Sequence, residues 1–158
     1  MSRPSETEQD MKRAAEAGEV LDLSRRGNNV LRAEAIRDLL VTGKVDPSGL
    51  RLDGARIVGV LNLDEITCQV PVIFRKCVLT APVVARRATI PLFCLDSAHL
   101  AGLNATGLRA DNLLIRDSRC TGTVRLAHAD IAAVCDLSET SIRTGEHGSL
   151  CASGLGLA

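Results

Sequence analysis

Apolar residues recur along the middle of the chain at a spacing that fits neither a helix nor a simple strand. Counting from Ile57 in steps of five, with a sixth residue at some steps, every position reached up to Ile142 is apolar or cysteine. The residue two places before each of these is small or apolar at nearly every step. An amphipathic helix would repeat about every 3.6 residues and a half-buried strand about every two. The pattern therefore predicts a five-residue unit with two inward and three outward positions.

Four such units would close one turn of a coil, because equivalent positions then return after 20, 21 or 22 residues. One predicted core column consists of Phe74, Leu95, Ile115 and Leu137. Stacked coils of this kind bury their inward side chains and pair each backbone segment with the coils on either side. The repeat therefore predicts a mainly β solenoid.

The triads "ARI", "AHL" and "ADI" each place a small residue two positions before a central apolar one. This pattern resembles the pentapeptide-repeat family, over about Leu50 to Ile142. The resemblance implies a right-handed quadrilateral β-helix of about 4–5 coils. A second likeness, to bacterial repeat proteins, rests on "RAEAIRDLL" and "LRLDGARIVGVLNL". The small position is often large here, as in Leu61 and Val72, which favours a divergent branch with a looser coil.

The N-terminal segment predicts two helices ahead of the repeat. Ser5 and Glu8 have the spacing of a capping box, and the helix that follows should end at Gly18. A second helix is predicted in "VLRAEAIRDLLVTG", ending at Gly43. Because repeat architectures need their open ends covered, we interpret residues 1–46 as a helical cap and residues 47–158 as the β-helix. A partner-binding helical hairpin is the alternative.

An apolar column is predicted on the outside of the coil. The outward residues that precede the core column are Ile73, Cys94 and Leu114, followed by Asp136. Exposed apolar stripes are typical of interaction surfaces. The column is therefore a candidate interface with a protein partner or a second copy, unless a loop or the N-terminal helices cover it.

The outward residues that follow the core column form a charge ladder of alternating sign, namely Asp53, Arg75, Asp96 and Arg116. One interpretation is a recognition stripe for a charged partner. We favour the other, ion pairs between coils that fix their register, each of which would stabilise the fold by less than about 1 kcal/mol.

Composition narrows the possible partners. The chain has 19 basic and 19 acidic residues and no net charge, which argues against direct nucleic-acid binding. No run approaches the roughly 18 apolar residues of a membrane span, and the N-terminus has no apolar signal segment. We therefore predict a cytoplasmic protein. Its six cysteines show no CxxC pattern, which favours free thiols.

No catalytic motif is found. The three histidines lack a paired carboxylate, and we predict neither an enzyme nor a bound cofactor or metal. The leading hypothesis is a non-catalytic scaffold for protein–protein interaction or self-assembly. The family resemblance adds an alternative, a DNA mimic that binds and protects type II topoisomerases such as gyrase. A second alternative is a filament subunit that stacks end to end, since "LCASGLGLA" begins a further coil that we expect to be truncated or covered by another chain.

Overall fold

A computed structural model describes residues 3–142, 150–151, 154 and 156–157. Helix α1 (Glu6–Ala17) begins after Ser5, whose side chain accepts a hydrogen bond from the amide of Glu8. The Ser5 amide donates in return to Glu8 Oε1 at 2.9 Å, which completes the capping box. The helix ends at Gly18, whose φ of 74° lies in the left-handed region. The first predicted helix and both of its end signals are confirmed.

The second predicted helix is correct only in part. Helix α2 (Ala33–Thr42) is preceded by strand β2 (Val30–Arg32), and a short strand β1 (Leu21–Asp22) follows α1. The prediction of helix from Val30 was wrong because Leu31 pairs with Ile57 in parallel register. That pairing satisfies backbone groups that a helix starting at Val30 would leave unpaired on the neighbouring strand.

The remaining strands form the sides of the coil and are separated by its corners; most have two to five residues, whereas one has eight and another seven. They are β3 (Leu50–Asp53), β4 (Arg56–Val58), β5 (Leu61–Asn62), β6 (Val72–Arg75), β7 (Val78–Leu79), β8 (Val83–Val84), β9 (Leu92–Asp96), β10 (His99–Leu100), β11 (Leu103–Asn104), β12 (Arg109–Arg116), β13 (Arg119–Cys120), β14 (Val124–Arg125), β15 (Asp130–Asp136), β16 (Ser141–Ile142), β17 (Leu150–Cys151) and β18 (Gly156–Leu157).

The strands stack into three parallel sheets. The first sheet has the order β1-β3-β6-β9-β12-β15-β18, the second β16-β13-β10-β7-β4-β2, and the third β17-β14-β11-β8-β5. A fourth side is held by isolated bridges that join Thr67, Thr89 and Arg109. The result is a β-solenoid of about four turns with helices at its N-terminal end, which confirms the predicted fold class.

The core lies inside the coil and is built from the predicted inward positions. Phe74, Leu95 and Ile115 are at most 1% exposed, and Phe74 pairs directly with Leu95. Leu137 is half-buried and packs against the same core. The rings of Phe74 and Phe93 meet edge to face with centroids 6.4 Å apart. Because the chain has only two aromatic residues, most of the core consists of stacked aliphatic side chains.

Two corner columns of the repeated coils have a left-handed residue in one coil after another, and Gly49 and Gly59 add isolated left-handed residues at the other two corners. One corner column has positive φ at Gly54, Lys76, Ser97, Asp117 and Glu139. The other has it at Glu65, Arg87, Gly107 and His128. The six-residue steps noted in the sequence fall at the other two corners. Coil closure therefore fixes a left-handed corner even where the residue is not glycine.

The N-terminal segment forms an incomplete first coil. Strand β1 extends the first sheet, β2 extends the second, and α2 packs against β5 at the edge of the third. Met11 and Ala15 of α1 are at most 2% exposed and belong to the same core. The division into residues 1–46 and 47–158 stays a prediction, although both strands of the first segment join the sheets of the second.

The predicted C-terminal coil lies mostly outside the described residues. Of that region, β17 pairs with β14 and β18 pairs with β15, both in parallel. Neither helix that the structure describes combines the length and the apolar character needed to cross a bilayer.

Candidate interaction face

The outer face of the first sheet is formed by its five central strands, β3, β6, β9, β12 and β15. Residues alternate between the core and the outside along each strand, as the inward Phe74 and its outward neighbours Ile73 and Arg75 illustrate. Parallel pairing keeps equivalent residues in line from strand to strand. Straight columns of outward side chains therefore run along the solenoid axis.

The apolar column lies where the sequence predicts it. Cys94 pairs with Ile73 on one side and with Leu114 on the other. The column is bordered by a charged residue at each end, since Ile73 pairs with Arg51 on β3 and Leu114 pairs with Asp136 on β15. The three apolar residues therefore occupy adjacent rungs in the middle of the face.

The column is only partly open to solvent. Ile73 and Leu114 are half-buried, and Cys94 is 5% exposed although it faces away from the core. The guanidinium of Arg116 lies against the Cys94 thiol. The N-terminal helices do not account for this cover, because α1 packs on β1, β2 and β3 and α2 packs on β2 and β5, whereas Cys94 lies on β9. Neighbouring side chains on the same face bury Cys94.

The charge ladder is continuous in register. Asp53 pairs with Arg75, Arg75 with Asp96, and Asp96 with Arg116. Of these three successive pairs, all within the described residues, only Arg75 and Asp96 come within ion-pair distance, with Nε and Oδ2 4.0 Å apart. The Arg75 side chain is 55% exposed, so this contact stabilises the fold by little. The ladder thus leaves most of its charge available on the surface.

A third column on this face was missed by the sequence analysis. Leu92 pairs with Asn112, which pairs in turn with Val134, and Val134 is 47% exposed. The sequence analysis assigned no direction to these three positions, because each lies just before the first inward residue of its five-residue unit. Alternation within the longer strands is the signal that could have found them.

The cysteines of the described region are suited to packing. Burial raises the pKa of the Cys94 thiol, and it raises the pKa of Cys77 to about 11. Both thiols therefore stay protonated at neutral pH, whereas a nucleophile requires the thiolate. The raised pKa of Cys94 therefore favours a packing role over a reactive one.

The second sheet offers a contrasting face. Its outward column is entirely exposed and contains no acidic residue; it consists of Val30, Arg56, Val78, His99, Arg119 and Ser141. It therefore lacks the alternating charges of the first sheet.

Two concave regions occur elsewhere. A groove of about 940 Å³ lies between α1 and α2, where Met11 and Leu39 are bordered by charged residues of both signs. A smaller cavity of about 260 Å³ on the fourth side is lined by Arg109, Asp111 and Asp130 among others. Within the described part of the chain, no three histidine, cysteine or acidic side chains are grouped closely enough to hold a metal ion.

Comparisons of the chain with protein-family models, with curated proteins and with solved structures found no match. The resemblance to pentapeptide-repeat proteins therefore stays a prediction that rests on the repeat itself.

Proposed function

We propose that this chain is a non-catalytic scaffold that binds a protein partner or another copy of itself through the outer face of the first sheet. The observation that supports the proposal is the alignment of Ile73, Cys94 and Leu114 on adjacent strands beside the charge ladder. A β-solenoid is compatible with such a role because its stacked strands present a rigid, nearly flat surface that costs little to order on binding.

The composition of the face suits a protein partner. Apolar residues at its centre and charged residues around them resemble the arrangement of core and rim in protein interfaces. A DNA mimic would instead present successive acidic groups, whereas the ladder changes sign at every rung. The topoisomerase-binding and filament alternatives remain predictions that no feature of this face favours. Membership of the pentapeptide-repeat family is likewise proposed, on the four-sided coil and its five-residue unit.

The proposal is tested by Leu114→Arg, which places a charge at one end of the apolar column. Tagged wild-type protein should retain a partner from its native cells, including its own untagged copy, and Leu114→Arg should lose that partner. The matched control is Val78→Arg on the second sheet, since Val78 is outward and 38% exposed. Circular dichroism should show that both variants keep the wild-type fold.

The control variant should retain the partner at the wild-type level. Retention of the same partners by Leu114→Arg, or their equal loss with Val78→Arg, would contradict the proposed face. The experiment reads binding directly and does not require the partner to be identified beforehand.

A further inference from the structure

We propose that the partner of this face is a second copy of the chain, bound face to face and antiparallel. The two-fold axis would run parallel to the strands and pass between β6 and β9. The inference rests on the proposed function, because it names the partner of the same surface.

The order of charges in the ladder supports an antiparallel partner. Four rungs of alternating sign, Asp53, Arg75, Asp96 and Arg116, lie at the spacing of stacked strands, about 4.8 Å. Reversing the order of such a series replaces every charge by its opposite. The ladder is therefore complementary to its own reversed copy, as an isologous interface requires.

The proposed axis satisfies all four rungs at once. Arg75 faces the partner's Asp96, and Asp53 faces the partner's Arg116, with each contact repeated by symmetry. The same operation places Ile73 against the partner's Cys94, and Leu114 against the partner's Arg51. The charge ladder, and not the apolar column, therefore selects this arrangement.

Two other two-fold arrangements of this face oppose like charges. An axis moved by half a rung onto β9 would place Arg75 against the partner's Arg116 and Asp96 against its own copy. A two-fold axis parallel to the solenoid axis, with the two ladders superposed, would place every ladder residue against the same residue of the partner. Like charges held together at an interface disfavour these arrangements.

The ladder residues have few competing contacts within the chain. Asp53 and Arg116 form no ion pair with any other residue of the described part, and the Arg75–Asp96 contact is 4.0 Å long. Elsewhere, charged groups on neighbouring coils pair closely, as Asp64 and Arg86 do at 2.6 Å. The outer charges of the ladder therefore have no ion-pair partner among the described residues, although the Arg116 guanidinium lies against the Cys94 thiol.

The size of the face predicts a weak dimer. Five strands spaced by about 4.8 Å, each contributing about 16 Å of length, give roughly 400 Å² per copy. A standard stable interface buries about 800 Å² on each partner. Self-association should therefore be reversible, detectable in the range of tens to hundreds of micromolar protein, and weakened by salt, which screens exposed charges over about 10 Å at 0.1 M.

Two single charge reversals test the arrangement. Arg75→Asp places the new carboxylate of one copy opposite Asp96 of the other, twice in each dimer, and Asp96→Arg places two arginines there instead. Each variant alone should dimerise at least about tenfold more weakly than wild type in low salt, measured by sedimentation equilibrium. An equimolar mixture of the two variants should recover wild-type association to within about threefold, because opposite charges then meet at all four rungs.

The mixture is the decisive measurement. Neither variant changes on mixing, so recovery cannot come from improved folding, and thermal melts followed by circular dichroism establish that each is folded. A mixture that remains as weakly associated as its components would overturn the antiparallel arrangement. Single variants that dimerise as strongly as wild type would also overturn it. Oligomers larger than dimers that both variants retain would do the same, since they would indicate association through another surface.

The result also separates this inference from the proposed function. Wild-type protein that stays monomeric at about 2 mM, above the whole concentration range expected for its self-association, would exclude the second copy. Loss of a different protein partner with Leu114→Arg would in that case leave the proposed function intact. Failure of both experiments would remove the face as an interaction surface.

Discussion

The repeated coils and the incomplete first coil close in different ways. From Leu50 to Ile142, each inward role is repeated from coil to coil, as in the column Leu52, Phe74, Leu95 and Ile115. In the first coil, two strands and helix α2 replace three strands of the repeat. On the third side of the first coil, α2 takes the place of a strand and packs on β5. There Arg37 Nη1 donates a hydrogen bond to the carbonyl of Asn62 at 2.6 Å.

Individual side chains therefore stabilise the two regions in different ways. Within the repeated coils, a core residue contributes mainly by filling the space between the equivalent residues of the adjacent coils, so its truncation leaves a cavity. In the first coil, contacts that occur once connect the helices to the sheets. The principal one joins Glu8 of α1 to Arg32, with Arg32 Nη2 2.9 Å from Glu8 Oε1 and Nε 2.9 Å from Oε2.

The largest effect is expected in the repeated coils, from Phe74→Ala. Phe74 is fully buried and packs edge to face on Phe93, so truncation should leave a cavity between two coils. The free energy of unfolding should fall by about 3–5 kcal/mol, measured by urea denaturation followed by circular dichroism. Val134→Ala, at a position 47% exposed on the same sheet, is the control and should change it by less than about 0.5 kcal/mol. A loss below about 1 kcal/mol with Phe74→Ala would contradict the stacked core.

The next largest effect is expected in the first coil, from Glu8→Gln. The Glu8 side chain is 3% exposed, and its hydrogen bonds with Arg32 lower the pKa of its carboxyl from 4.5 to about 2. Since one pKa unit corresponds to about 1.4 kcal/mol, the charged form should stabilise the fold by about 3 kcal/mol at neutral pH. Glu6→Gln, on the exposed side of the same helical turn, is the matched control.

The pH dependence of this pair follows from the direction of the shift. A carboxyl whose pKa is lowered on folding stabilises the protein fully above its unfolded value, here about 4.5. That stabilisation is lost as the pH falls toward about 2. Wild type and Glu8→Gln should therefore differ in unfolding free energy by a constant amount above about pH 5.5 and converge as the pH approaches 2. A difference that does not depend on pH would show that the charge of Glu8 is not what joins α1 to Arg32.

The repeated coils were more predictable than the first coil, for a physical reason. Burial recurs with the repeat, so the sequence alone placed Phe74, Leu95 and Ile115 in one column and Ile73, Cys94 and Leu114 in another. The strand before α2 was missed because its structure depends on pairing with β4, about 25 residues further on, as the pair Leu31 and Ile57 illustrates. Such long-range pairing leaves no periodic signal in a three-residue segment.

The accessibility of the candidate face was less predictable than its register. The columns could be located from spacing, but the contact of the Arg116 guanidinium with the Cys94 thiol depends on side-chain conformation, which spacing does not fix. The left-handed corners were also not predicted, since residues such as Lys76 and Glu65 have no preference for positive φ. Their backbone is set by closure of the coil and not by their side chains.

One corner position allows the two regions to be compared directly. Gly54 and Lys76 occupy equivalent corners, with φ of 71° and 53°, but Gly54 lies against the first coil. A Cβ on Gly54 would stand 2.5 Å from the Cα of Ser24, a contact that requires the backbone to shift. Gly54→Ala should therefore lower the free energy of unfolding by about 1–2 kcal/mol, and the control Lys76→Ala by less than about 0.5 kcal/mol. Equal losses in urea denaturation would show that the first coil yields at this corner as easily as a repeated one.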